Sequence, residues 1–199
     1  MAVSRDDIVA AALEILDTYG LADLSMRRIG EATGVQAATI YWHYANKQTL
    51  LAGVSDAILA AQVEPVRGVL DAALGDWARE LRRVLLTHRD AAELVAATLA
   101  VGLGRREPDE GAVRVFLDAG WSASAAPRAA RSMTHFILGH VMQEQTRQNL
   151  HALGLLPATS AVLDDDGFEL GLAMVIAGAL VLSPTPPAGG PVNPRHEVA

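Results

Sequence analysis

Residues 25–47 read SMRRIGEATGVQAATIYWHYANK, two short helices around a tight turn followed by an aromatic cluster. Ser25 carries the side-chain oxygen that an N-cap needs, and Arg27, Arg28 and Ile29 follow inside the helix it starts. Gly34 breaks the pattern, because glycine reaches the left-handed backbone that closes helices at no steric cost. Residues 36–43 make a second short helix with small side chains, Ala37, Ala38 and Thr39, at its front. Two helices joined by a short glycine-containing turn form a helix-turn-helix, whose second helix enters the DNA major groove. Small residues at the front let the backbone sit close to base edges. Tyr41, Trp42 and His43 come next, where they can donate to phosphates or pack on sugars. Lys47 follows, the one lysine of the chain.

Outward from this stretch the chain reads as all-α. Strict apolar–polar alternation is absent, and Ala, Leu, Arg and Glu dominate. A first helix from Ser4 or Arg5 to Tyr19 places Ile8, Ala12, Ile15, Leu16 and Tyr19 on one stripe. Asn46 caps a fourth helix that runs from Lys47 to near Ala61. Pro65 interrupts, a further segment reaches Ala73, and Gly75 restarts the chain into a helix over 76–88. Asp90 caps a helix over 91–101, and another spans 110–119 and ends at Gly120. A long helix covers 127–153. Residues 157–166 read as a loop whose three consecutive acids, Asp164, Asp165 and Asp166, are solvated rather than gathered on a cation. The last helix covers 168–182. Residues 183–199, with five prolines and a Gly-Gly pair, read as a disordered tail. The expected organisation is therefore a three-helix helix-turn-helix DNA-binding domain over 1–46, a larger helical ligand-binding and dimerisation domain over 47–182, and the tail.

The totals narrow the chemistry. A chain of 199 residues that is 51% hydrophobic can bury a full core. The absence of cysteine removes disulfides, thiolate metal sites and thiol catalysis, and it fits a cytoplasmic setting. Arg5, Asp6 and Asp7 interrupt any signal-peptide-like start, and the apolar run 170–182 is too short to span a bilayer, so no membrane partner is expected. A net charge of −7 is unusual for a protein that meets a polyanion, but the local field at the binding face decides. The N-terminal cations, Arg5, Arg27, Arg28 and Lys47, lie mostly beside the second helix of the motif. His88, His135, His140 and His151 show no spacing of four residues, so no metal site and no cofactor are expected. No Ser/His/Asp order, phosphate loop or paired carboxylates stand at catalytic spacing, so an enzyme is not expected.

The stretch resembles the DNA-binding domain of the TetR family of bacterial transcriptional repressors. The resemblance runs in register through Tyr19-Gly20, Leu24-Ser25-Met26-Arg27, Thr33-Gly34-Val35, the run from Thr39 to Tyr44, and Asn46-Lys47. It implies a double-stranded DNA operator contacted by Arg27, Arg28, Ala37, Ala38, Thr39, Tyr41, Trp42, His43 and Lys47. It also implies a homodimer, built by pairing the last helix with the long helix across a two-fold axis, and a cytoplasmic regulator answering a small-molecule effector. The glycines and alanines of the last helix, Gly171, Ala173, Ala177, Gly178 and Ala179, permit such a close approach.

Beyond the fourth helix, the segments 81–90 and 135–145 resemble the tetracycline-repressor class of the family. Members of that class hold a magnesium–drug chelate through a histidine, and the matching position here is Val95. The glutamate that supports the metal through water corresponds to Gln143, the drug-gripping Asn and Phe to Trp77 and Leu81, and a threonine matches at Thr98. Valine offers no lone pair to a hard cation. The resemblance therefore implies a more apolar effector pocket without metal, lined by Trp77, Leu81, Val95, Thr98, Phe116, Trp121, Met133, Phe136, His140 and Gln143. The alternative function is a small-molecule carrier or an enzyme built on the C-terminal helical domain.

Overall fold

The computed structural model describes residues 3–65, 68–156 and 164–184. Among these the chain is all helical: α1 (Arg5–Tyr19), a single 3-10 turn (Leu21–Asp23), α2 (Met26–Thr33), α3 (Ala37–His43), α4 (Lys47–Leu59), α5 (Leu70–Leu85), α6 (Ala91–Val101), α7 (Glu110–Asp118), α8 (Ala126–Ala152) and α9 (Asp165–Leu182). The tail over 185–199 and the loop segment 157–163 lie outside the described residues.

Local signals set most boundaries. The Ser4 hydroxyl accepts from Asp7 N at 3.1 Å while the Asp7 carboxylate accepts from Ser4 N at 2.8 Å, a reciprocal cap on α1. Asn46 and Thr49 form the same kind of box on α4. Each cap satisfies amides that the first helical turn leaves without partners.

Two apolar clusters divide the interior. The smaller gathers Ile8, Ile15, Leu16, Ile29, Ile40, Tyr44 and Leu50 from α1 to α4 and forms the head. The larger gathers Trp77, Leu81, Val95, Phe116, Met133, Ile137 and Phe168 from α5 to α9 and forms the body. Val54, Ile58 and Leu94 carry the smaller cluster down α4 onto α6, so α4 belongs to both halves.

Three expectations need correction. Helix α5 does not restart at Gly75 but runs through it, from Leu70 to Leu85. A mid-helix glycine costs about 1 kcal/mol relative to alanine, and the buried stripe Leu74, Trp77, Ala78, Leu81 and Leu85 outweighs that. Asp90 stands at the start of α6 in left-handed backbone, φ 54°, but its side chain does not cap the helix. Its carboxylate accepts Leu21 N at 2.9 Å and the amide of Asn149 at 2.7 Å, tying head to body. Finally, the acids at 164–166 are not a free loop. Asp164 caps α9 by accepting Gly167 N at 2.9 Å, and Asp165 and Asp166 occupy the first turn, where the helix dipole favours negative charge.

Candidate functional site: the face of the helix-turn-helix and the core of the body

The helix-turn-helix depends on two glycines. At Gly34, φ is 71°, and its amide donates back to Glu31 and Gly30, closing α2. At Gly30, a Cβ would stand 2.8 Å from the carbonyl oxygen of Val35 and 3.1 Å from Ala37 N. Only a residue without a side chain lets α2 and α3 cross this closely.

That crossing leaves the front of α3 open. Gln36, at the N-cap, is exposed and makes no side-chain cap bond, and Ala38 is exposed behind it. Ala37 and Thr39 are half-buried, and Ile40 turns into the head. Trp42 is 90% exposed and Tyr41 is exposed beside it, whereas Tyr44 packs into the core. His43 is half-buried, and its carbonyl accepts from the Arg5 guanidinium at 2.8 Å. Lys47 is exposed at the first turn of α4. A solvent-facing indole of this size earns no folding stability where it stands, so its surface is open for another molecule.

The two adjacent arginines differ. Arg27 is highly exposed and meets only Glu31, at 3.3 Å one turn away, a pair worth a few tenths of a kcal/mol. Arg28 lies 4.0 Å over the Tyr19 ring and pairs with Asp23, so its charge is already engaged. Gln36, exposed at the N-cap of the second motif helix, lies outside the residues expected to contact DNA.

In the body, the structure brings most of the expected effector residues into one closed cluster. Trp77, Leu81, Val95, Phe116 and Met133 are buried against one another, with Trp121 and Phe136 packed on their edge. The Thr98 hydroxyl donates to Leu94 O at 2.9 Å within its own helix. Gln143 departs from expectation, because it is exposed. Gln145, two residues further along α8, is the glutamine that turns inward. It donates to Leu85 O at 2.9 Å and His88 O at 2.7 Å and accepts Ala92 N at 3.2 Å, plugging the corner between α5 and α6. A groove of about 860 Å³ opens elsewhere, between α1, the end of α3, α4 and residues 103–106.

Among the described residues three buried side-chain polar atoms lack a hydrogen-bond partner: Arg89 Nε at the corner between α5 and α6, and Trp121 Nε1 and His140 Nε2 in the body. Such an atom costs about 1–3 kcal/mol if nothing meets it. The Trp121 ring lies tilted at 60° against Phe116, with centroids 4.9 Å apart. His140 stands edge-on to Phe168 at 5.4 Å. Burial holds the His140 pKa below its ordinary value of 6.5, with Glu144 and Asp164 opposing the shift and Arg82 reinforcing it. The folded state thus disfavours the imidazolium while the unfolded chain accepts it. Stability is full above pH 6.5 and is lost as pH falls through the lowered folded value. Thermal melts should show this loss below pH 6.5, and His140→Gln should flatten it; an equal slope in both proteins would assign the loss to other groups.

One surface remains apolar and uncovered. Leu170, Ala173, Met174, Ala177, Gly178 and Val181 recur every three or four residues along α9, with Met174 69% and Val181 84% exposed. A contiguous apolar stripe of this kind marks an interaction face. Among the described residues no helix is long and apolar enough to cross a membrane.

Known proteins share this arrangement. The profile of bacterial regulatory proteins of the tetR family matches residues 8–54, and that of the tetracyclin repressor-like C-terminal domain matches 64–159. The class A tetracycline repressor protein of transposon 1721 from Escherichia coli is 31% identical over 193 residues, 86% of this chain and 88% of that one. The crystal structure of Mycobacterium smegmatis BioQ superposes with a TM-score of 0.81 at 35% identity, covering 90% of this chain and 98% of its own. BioQ bound to its natural double-stranded DNA operator superposes at 0.74 with 33% identity, covering 90% and 99%. A helix-turn-helix head, a helical body and matches along nearly the whole chain lead to one conclusion: the protein belongs to the TetR family of transcriptional regulators.

Proposed function

We propose that the protein is a homodimeric repressor that holds a palindromic operator and is released by a small apolar or aromatic effector. The observation that carries this reading is the open front of α3 flanked by Trp42 and Lys47, on a chain whose α9 stripe needs a cover. Two copies joined through α8 and α9 would present two recognition helices to successive major grooves, about 34–36 Å apart. Support for DNA as the partner comes from BioQ, a structural relative solved with its operator.

In this reading Thr39 and Arg27 meet bases, Tyr41, Trp42, His43 and Lys47 meet the backbone, and Ala37 and Ala38 allow the approach. Arg28 supports the fold of the head through Tyr19 and Asp23 rather than reaching the duplex. The effector enters the body cluster, where Trp121 Nε1 and His140 Nε2 are the unpartnered polar atoms available to orient it. Affinity for the operator then falls by a coupling free energy of about 1–3 kcal/mol. The direct test selects a duplex from a random pool with the purified protein. A palindrome with half-sites one helical turn apart is expected, and failure to enrich any sequence would refute the proposal.

Two substitutions separate the roles. Lys47→Ala should weaken binding to every duplex alike and flatten the salt dependence by about one unit per subunit, since one phosphate contact is lost. An unchanged slope removes Lys47 from the interface. Thr39→Ala and Arg27→Ala should instead relax base preference, at a cost of about 1–3 kcal/mol for a good base contact. Equal losses on selected and random DNA would reassign both to the backbone.

A further inference from the structure

The groove of about 860 Å³ beside the head exists because one face of α4 is nearly bare. Gly53, Ala57 and Ala60 recur at steps of four and three residues, so they share that face and leave its volume empty. Gly53 has a second effect. A Cβ there would stand 2.9 Å from Tyr44 Cε1 and Oη, so any other residue displaces the ring from its place in the lining. Val9, Ala10 and Leu13 supply a wall from α1, and Leu103 adds apolar surface from the loop between α6 and α7.

The charges around this apolar lining are unequal. Three guanidinium groups, of Arg5, Arg105 and Arg106, stand against two carboxylates, of Asp6 and Asp56. The carboxylates are already served. Asp56 is 9% exposed and accepts the backbone amides of Arg105 at 2.8 Å and Arg106 at 2.9 Å. Asp6 lies in the first turn of α1, where the helix dipole favours its charge. The cations keep most of their donors. Arg5 is exposed and gives one bond, to His43 O at 2.8 Å. The Arg105 side chain is 86% exposed, with Nε 3.3 Å from Asp56 Oδ2. Arg106 is exposed, and among the described residues its side chain forms no ion pair or hydrogen bond. A guanidinium carries five N–H donors in a fork that matches a carboxylate.

Aromatic rings form the remaining lining. Tyr41 and the outward-facing Trp42 reach the groove from the end of α3. An exposed ring gains most from another flat ring laid against it. The volume lies within the range of about 300–1,000 Å³ that small-molecule sites occupy. Guanidinium forks select an anion, and the apolar and aromatic walls select one that carries a ring.

We propose that this groove is a second small-molecule site, separate from the body cluster, and that it takes a flat aromatic carboxylate. The carboxylate faces the free guanidinium groups, and the ring lies between the α1 wall and Trp42. The DNA-binding reading above sets Tyr41, Trp42 and His43 against the duplex backbone. An occupant therefore competes with DNA for the same side chains, within a single head. The competition rests on that reading, whereas the binding site does not.

The probe is naphthoate, with its uncharged amide as control, added to the full-length protein at matched ionic strength. The chain has three tryptophans, so the indole N–H resonances separate the sites. Trp42 reports the groove, and Trp77 and Trp121 report the body cluster. Naphthoate should shift the Trp42 resonance alone, and the amide should bind about ten-fold more weakly, the loss of one charge-assisted contact. Arg106→Gln should weaken naphthoate by a similar factor. Ala10→Phe, at an exposed position that fills the groove, should abolish the shift. A Trp42 resonance unmoved at millimolar naphthoate would overturn the proposal. So would equal binding by the unsubstituted protein and both variants, or movement of Trp77 and Trp121 instead, which assigns the ligand to the body. The second measurement is affinity for an isolated half-site of the selected duplex. Naphthoate should lower it in the unsubstituted protein and leave it unchanged in Ala10→Phe, and unchanged affinity with the groove occupied would overturn the competition. If the protein selects no duplex, the repressor reading fails, while the Trp42 titration still decides the site.

Discussion

Magnesium and micromolar tetracycline, added to the protein on its operator, are expected to leave the mobility-shifted band in place. The chelate needs a nitrogen or oxygen ligand where the metal sits, and the position that the resemblance matches to the histidine of that class is Val95, fully buried among apolar side chains. Trp77 and Leu81, which the resemblance matches to the drug-gripping positions of that class, are fully buried as well. The Thr98 hydroxyl is already spent on Leu94 O, and Gln143 faces solvent. A charged chelate placed against Val95 would lose its water without gaining a metal ligand at that position, at a cost of several kcal/mol. Affinity should stand at least about 3–4 kcal/mol below that of a sensor with the full ligand set, some hundreds-fold weaker. The control is an apolar aromatic compound that releases the operator with no need of metal. Magnesium-dependent release by tetracycline would refute both the prediction and the alignment of the pocket.

Met174→Glu should turn the protein into a monomer and reduce operator affinity by at least about a hundred-fold, the gain that linking two binding modules provides. The side chain is 69% exposed in the single chain, so a carboxylate there is hydrated and the fold is undisturbed. In a two-fold pairing of α9 each stripe meets its own copy, and two carboxylates would be buried against apolar neighbours. Light scattering at micromolar protein reads the assembly state, and half-site binding confirms an intact head. A dimer that keeps full operator affinity would place the interface elsewhere.

Much of the head was legible in residues 25–47 because its signals act over a few residues. Ser25 accepting Arg28 N, the left-handed Gly34 and the Asn46–Thr49 box are interactions within one turn of chain. A linear pattern contains both partners, so such boundaries can be read directly. The buried stripe of α8 is legible for the same reason, since helical periodicity puts Met133, Ile137 and Val141 on one face.

What only the tertiary structure decided involves partners far apart in sequence. Asp90 looks like a cap locally, yet its carboxylate serves Leu21 and Asn149, because the corner between α5 and α6 packs against the head. Gln143 and Gln145 are indistinguishable by type, but the rotation of α8 against α5 and α6 turns the second inward to three backbone groups. Gly75 reads as a break until the burial of Leu74 and Trp77 on either side of it is known. Asp56 reads as a lone acid on α4 until the loop at 105–106 folds over it. Residue types and local spacing determined most of the helices and the helix-turn-helix motif. Which polar groups hold head and body together depended on how those helices pack, because a hydrogen bond across fifty residues is set by orientation, which local spacing does not encode.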